Sequence, residues 1–392
     1  MRKIYLPAII AGALLTASCS KDDPKPKPAS GVESMTLIYA VNRSSLSSDF
    51  SDDSREMLSA MAASGDEAHK LLLFRTDSES ECGLYEAVAD KKGVYTFELL
   101  KRFPRDVTST DPERLAEVVD YALSLYPEAR KNLFFWGHGM SWNPTFSDHQ
   151  VKIAPKDADL PEAYGYGGEY GGAIGGSTDW MEITELADAL PDDAFDTIWF
   201  DCCYMSGIET IYQLRDKCDY FVAYPTEVWQ YGLPYDLVLP YVMTDKPDLV
   251  KAAQTFFDYY SASGDPVTVA CLRMDKVEPV ADAVKRIYAS GIGTPNLSEV
   301  ANYSRSYNSP FYDLTQYVGK VAEANGCGSE LLEAYRKAMS EFVIYSACSP
   351  YDFNSRPWKN PNLSGISTHH YQGLNNKEEA FYSTLDWYKR VY

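Results

Sequence analysis

Several common signatures are missing from this chain of 392 residues. It has no CxxC pair and no paired Cys/His spacing, so nothing in the sequence calls for a zinc site. The Gly-rich stretch "YGYGGEYGGAIGGSTDW" lacks G-x-G-x-x-G between a strand and a helix, and G-K-S/T is absent. Nucleotide binding therefore has no motif behind it. There is no internal repeat. Positive charge is in deficit: 36 Lys and Arg against 56 Asp and Glu give a formal charge of −20. That balance argues against nucleic acid and anionic membrane as partners, and it is compatible with cationic substrates. Of the eight cysteines, setting Cys19 aside leaves Cys82, Cys202, Cys203, Cys218, Cys271, Cys327 and Cys348. Their spacing is irregular, and a chain this long needs no disulfide framework. Seven is odd, so at least one thiol stays unpaired unless it pairs between chains.

The amino terminus reads "MRKIYLPAIIAGALLTASCSKDD". Arg2 and Lys3 precede an apolar run, Leu6 to Leu15, of about ten residues, too short to span a bilayer as a helix. Small residues then lead to Cys19. The segment resembles a bacterial lipoprotein signal, which implies lipidation of Cys19 as the mature N-terminus; a plain secretory signal is the alternative. "SKDDPKPKPASG" follows as an extended, charged, Pro-rich tether. The expected organisation is a signal over 1–18, a tether over 19–33 and a body over 34–392. That body would be extracytoplasmic, a monomer, and tied to an outer membrane or cell surface only through lipid. With 45% hydrophobic residues it can build a sizeable core.

Along the body, short apolar β-rich runs alternate with helical patterns. "SMTLIYAVN" and "HKLLLFRTD" read as strands, and "GLYEAVADKKGVYTFELLKRF" reads as a hairpin turning near Lys91-Lys92-Gly93. "DPERLAEVVDYALSLYP" is a helix with Asp111 as cap and Pro112 in the first turn. Further strands are expected in "NLFFW", "DTIWF", "CDYFVAYPTEV" and "VTVACLRMD", and helices in "MEITELADALP", "GIETIYQLRDK" and "KPDLVKAAQTFFDYYSASG". The rest reads as mostly helical to about Phe342, then loop-like, with a final aromatic helix in "KEEAFYSTLDWYKRVY". This alternation predicts one α/β domain: a core over about 34–275 with a C-terminal helical part over about 276–392.

Two predicted strands end in reactive residues. "NLFFW" leads to Gly137-His138-Gly139, and "TIWF" leads to Asp201-Cys202-Cys203. Ligand sites in open α/β sheets lie beyond the carboxyl ends of strands, so parallel neighbours would bring these together. By strand alternation Asp201 and Cys203 share a side, and Cys202 turns back into packing. Cys203 precedes a helix, whose N-terminus is expected to lower its pKa. A thiol beside an imidazole is an activated nucleophile. Backbone N–H groups at Gly139 and Cys203 are candidate oxyanion donors, and Asp201 can bind a cationic side chain. The bland alternative makes both thiols core residues. His149, His369 and His370 lie in polar loops and read as surface residues.

At these residues the sequence resembles the clostripain-type cysteine peptidases of the caspase-like clan. Trp136-Gly137-His138-Gly139 matches the family's histidine segment, and Asp201-Cys202-Cys203-Tyr204-Met205 with Glu209 matches its nucleophile segment. The resemblance implies a caspase-like three-layer αβα sandwich with a mostly parallel central sheet and a C-terminal helical elaboration. It implies that Cys203 is the nucleophile, that His138 is the acid–base, and that Asp201 selects Arg or Lys before the scissile bond of a peptide or protein substrate. Lys152 and Lys156 are then candidate processing sites. No cofactor is required, although calcium is a candidate because some members need it. Asp148, Asp157, Asp159 and Glu169 could supply oxygens without EF-hand spacing. The segment Tyr224–Gly232 departs from the commoner family pattern. The rival reading is a catalytically silent homologue that binds peptides or proteins.

Overall fold

The computed structural model describes residues 31–42, 44–76, 82–105, 107–144, 172–176, 179–305 and 311–392. Its strands are β1 (Ser34–Ala40), β2 (His69–Thr76), β3 (Cys82–Ala89), β4 (Tyr95–Arg102), β5 (Arg130–Trp136), β6 (Ile174–Gly175), β7 (Trp180–Met181), β8 (Phe195–Asp201), β9 (Cys218–Ala223), β10 (Thr268–Arg273), β11 (Tyr312–Asp313), β12 (Val343–Cys348) and β13 (Ser367–Thr368). Nine of them form one sheet in the order β12-β10-β9-β8-β5-β1-β2-β3-β4. The central five, β9-β8-β5-β1-β2, pair in parallel. Only β3 and β10 run against the rest. The parallel strands explain the continuous apolar runs: every residue of β1 is buried, because both sheet faces are covered. The edge strand β4 instead alternates between exposed and half-buried positions.

The helices are α1 (Phe50–Ser64), α2 (Pro112–Leu125), α3 (Ile183–Ala189), α4 (Ile208–Gln213), α5 (Tyr235–Val242), α6 (Leu249–Ser263), α7 (Val277–Ile287), α8 (Leu314–Ala324), α9 (Ser329–Phe342), α10 (Asn376–Tyr382) and α11 (Asp386–Val391). They divide into two layers. Met35, Leu37 and Tyr39 of β1 join a core with residues of α2, α3, α4 and α7 to α11. Ile38 and Ala40 face the other way, into a core with α1, α5 and α6. The result is the expected three-layer αβα sandwich. In α2 the Asp111 side chain accepts from the N–H groups of Glu113 and Arg114, and Leu115, Val118, Val119 and Ala122 form the buried stripe.

Three local expectations change. Val343–Cys348 is a strand, not a loop; it adds to β10 at the sheet edge, carried there by the C-terminal part. The final aromatic helix is two short ones, α10 and α11, separated at Ser383–Leu385. His369 is buried, not on the surface: it lies against Phe311, and its Nδ1 accepts from Trp142 Nε1–H at 2.8 Å. No described helix is long and apolar enough to cross a membrane.

Candidate active site

Strands β5 and β8 are parallel neighbours, and their last residues are in register, Trp136 beside Asp201. The chain segments leaving them start from one point on the carboxyl rim of the sheet. A cavity at that rim is lined by Trp136, Gly137 and His138 from one segment and by Asp201, Cys202 and Cys203 from the other. Leu46, after β1, and Val228, Trp229, Gln230 and Gly232, after β9, close it. Its free volume is about 30 Å³, room for a water or two and far less than an Arg side chain needs.

His138 is 5% exposed, and its Nε2 lies 3.2 Å from Ser45 Oγ. Its backbone pairs in both directions with Gly175, which fixes the ring's base. Burial pushes the imidazole down to about 4. Cys203 Sγ accepts a hydrogen bond from Val228 N–H at 3.3 Å. Burial pushes its thiol up to about 12, with that bond opposing. The expected lowering by a helix N-terminus does not dominate. Helix α4 begins only at Ile208 and is six residues long, and the turn between passes through Tyr204 at φ 63°. At neutral pH both groups are therefore uncharged in this state, and a thiolate has to be made by proton transfer during reaction.

Cys202 is buried, and its Sγ donates to Phe135 O at 3.6 Å, which fits a small filler of the core. Gly139 explains how closely the two turns meet. A Cβ there would lie 2.6 Å from the Cys203 carbonyl oxygen and 2.8 Å from Cys202 Cβ. In this state Cys203 lines the cavity and Gly139 does not. Among the described residues, neither the Gly139 nor the Cys203 backbone N–H has a hydrogen-bond partner.

Asp201 is the last residue of β8 and is 5% exposed. Its Oδ2 accepts from Leu233 N–H at 3.0 Å and from Tyr235 O–H at 3.0 Å. Among the described residues its Oδ1 is buried without a partner. Burial raises the carboxyl to about 6, against those two bonds. A buried carboxylate with an idle oxygen at a cavity wall is suited to a cation. Glu209, by contrast, is turned away from the cavity. Its Oε1 accepts from Thr368 Oγ1 at 2.8 Å, Tyr382 O–H at 2.9 Å and His369 N–H at 3.1 Å.

Cys19, Lys152, Lys156, Asp148, His149, Asp157, Asp159 and Glu169 lie outside the described residues. Among the described residues, metal-ligand atoms converge at Glu33, His69 and Asp245. This group sits where β1 and β2 begin, at the opposite edge from the cavity. His69 Nε2 lies 3.2 Å from Asp245 Oδ1, and its Nδ1 lies 2.8 Å from Ser34 Oγ, so both ring nitrogens already have partners.

Sequence reasoning missed Ser45, Asp53, Val228 and Tyr235. One signal was legible. Phe50, Asp53, Ser54 and Met57 form the buried stripe of α1, and an acid on such a stripe is unusual.

A three-layer α/β sandwich with histidine and cysteine on adjacent parallel strand ends defines a class, the caspase-like cysteine peptidases. Within that class, the sequence profile of the clostripain family matches residues 38–390, and the chain belongs to that family. Solved structures share the fold. One is a secreted C11 cysteine protease from Bacteroides thetaiotaomicron with an irreversible peptide inhibitor: 23% identical, covering 92% of this chain and 99% of that one, TM-score 0.74. Another is an inactive zymogen C11 protease from Parabacteroides distasonis: 23% identical, covering 94% and 99%, TM-score 0.76. A secreted C11 cysteine protease from Bacteroides thetaiotaomicron called iotapain is also 23% identical, covering 94% and 100%, TM-score 0.76. A search of curated proteins found no match.

Proposed function

We propose that this chain is a cysteine endopeptidase that cuts after Arg or Lys. The observation that carries the reading is the shared register of Trp136 and Asp201, which supports one pocket for His138, Cys203 and Asp201. Substrate moves the Val228 segment off the thiol. Cys203 Sγ attacks the scissile carbonyl carbon as His138 takes the thiol proton, and the backbone N–H groups of Gly139 and Cys203 receive the oxyanion. The C–N bond breaks, and His138 returns the proton to the leaving amine. Water then hydrolyses the thioester by the same proton path. Asp201 holds the cationic side chain before the cut, its idle Oδ1 accepting from it.

The setting proposed with it is an extracytoplasmic, monomeric protein, lipid-anchored at Cys19 through the tether 19–33. Processing at Lys152 or Lys156 is part of the same proposal, and calcium is a candidate activator. The secreted neighbours and the basic–apolar start of the chain support export. A silent homologue is the second reading, favoured by the hydrogen bond from Val228 to the thiol and by the small cavity. The test is hydrolysis of fluorogenic peptides ending in Arg, Lys, Ala or Asp, by the body from Ser34, before and after light trypsin treatment and with calcium. Cleavage after Arg or Lys, lost in Cys203→Ala and kept in Cys202→Ala, supports the enzyme. Silence under every condition supports the homologue.

A further inference from the structure

Behind Asp201 lies a second acid that the proposed mechanism does not use. Asp53, on α1, is 2% exposed, and its Oδ2 accepts from Trp136 Nε1–H at 2.6 Å. Trp136 lines the cavity and ends β5, two residues before His138. Asp53 and Asp201 approach one point: a Cβ built on Gly232 would lie 2.9 Å from Asp201 Oδ2 and 3.4 Å from Asp53 Oδ2. Gly232 itself sits at φ 59°, held by Tyr260 O–H donating to its carbonyl at 2.5 Å. So two carboxyl groups from different elements flank one glycine of the cavity wall.

Among the described residues no cation balances them: neither Asp53 nor Asp201 meets a Lys or Arg. The neighbours of Asp53 on its own helix are further acids, Glu56 and the cap Asp49. Glu56 in turn is next to Asp236 of α5 and accepts from Tyr235 N–H. The phenols facing the pair are Tyr235 of α5, Tyr260 of α6 and Tyr224 at the end of β9, and burial drives all three upward, above the working range. Two buried carboxyl groups this close do not both ionise easily. Such a pair without a counter-ion points to a cation that arrives from outside.

We propose that Asp53 is a second acid of the basic-side-chain pocket, positioned through Trp136 and Gly232, and that it adds a second negative charge beneath the substrate cation as the pH rises. The inference rests on the Arg/Lys reading of Asp201. Burial and the Asp201 charge raise the Asp53 carboxyl, and burial raises Asp201 less, so of the two acids Asp53 keeps its proton to higher pH. A bound substrate cation favours loss of that proton to solvent, by about one pKa unit for a tenfold coupling.

The experiment is the ratio of kcat/KM for an Arg-ending peptide to that for an Ala-ending peptide, from about pH 5 to about pH 10, where Arg keeps its charge. Ionisation of Cys203 and His138 affects both substrates and cancels. Wild type is expected to show two rises, one as Asp201 ionises and one as Asp53 does. Asp53→Asn, which keeps an acceptor for Trp136, is expected to show only the first and to end roughly tenfold lower, the size of one pKa unit of coupling. Asp201→Asn is expected to lose the first rise. If wild type prefers Arg but rises in a single step, or if a folded Asp53→Asn overlays it, this inference falls and the Asp201 reading stands. If wild type shows no Arg preference at any pH, both fall. The wild-type profile decides even where the variant does not fold.

Discussion

Two buried carboxyl groups eight positions apart, Asp201 and Glu209, are treated differently by the same fold. Among the described residues, each has one oxygen bonded and one without a partner. Glu209 spends its bonded oxygen on Thr368, His369 and Tyr382, so it ties the C-terminal part onto the start of α4. Asp201 sits on a cavity wall beside Gly232 and the thiol turn, with Asp53 on the far side of that glycine. Burial raises both groups, so a shifted titration alone does not separate a staple from a site. What separates them is position: Asp201 lines the cavity and Glu209 does not.

The largest way to sharpen that contrast is Cys203→Ala. It should abolish peptide hydrolysis and shift Tm by no more than about 2 °C, because the side chain is only partly buried. Cys202→Ala should do the reverse, keeping turnover per folded molecule and costing about 1 kcal/mol, measured by denaturant unfolding. Next in size is Glu209→Ala. Three buried donors lose their acceptor, and a loss of roughly 3 kcal/mol is expected from the denaturant midpoint, with substrate preference unchanged. Equal destabilisation by Glu209→Ala and Asp201→Ala, with preference intact in both, would break the comparison.

Asp201→Asn follows. The ratio of Arg to Ala cleavage should fall roughly a hundredfold, as when one partner of a buried charge pair is removed. Stability should change in the opposite sense to a salt bridge. Folding raises the carboxyl from 3.8 to about 6. Its stabilising contribution is therefore complete below its ordinary pKa and is lost as pH rises through about 6. Wild type should lose Tm across that window, and Asp201→Asn should lose less. The smallest effect concerns the thiol. Alkylation of Cys203 by iodoacetamide in the unliganded protein should speed up steadily with pH towards about 12. A plateau already at neutral pH would mean a preformed thiolate.

Much of this was legible before any coordinates. Continuous apolar strands alternating with capped helices define a parallel sandwich, and Asp111, Pro112 and the stripe of α2 behave as their chemistry dictates. The candidates His138 and Cys203 were legible because each follows a strand end, His138 between two glycines and Cys203 two residues after Asp201. Their distance from one another was not, since it depends on β5 and β8 being neighbours in register, a long-range pairing that no local pattern encodes. Ser45 and Val228 were hidden for the same reason: each is ordinary in its own segment, and packing brings one to His138 and the other to Cys203. Asp53 left a signal as an acid on a buried stripe, but its partner Trp136 was not legible. The edge strand Val343–Cys348 escaped because its six residues are all half-buried, which leaves no clean alternation. The thiol's titration was misjudged because sequence shows a helix nearby but not the burial that outweighs it.

The most direct single measurement is labelling with two acyloxymethyl ketone peptides that differ only in ending with Arg or Ala, with the adduct located by mass spectrometry. The account predicts one adduct, on Cys203, formed much faster by the Arg probe, with that advantage lost in Asp201→Asn. An adduct on Cys202 or another thiol, or equal rates for the two probes, would contradict it.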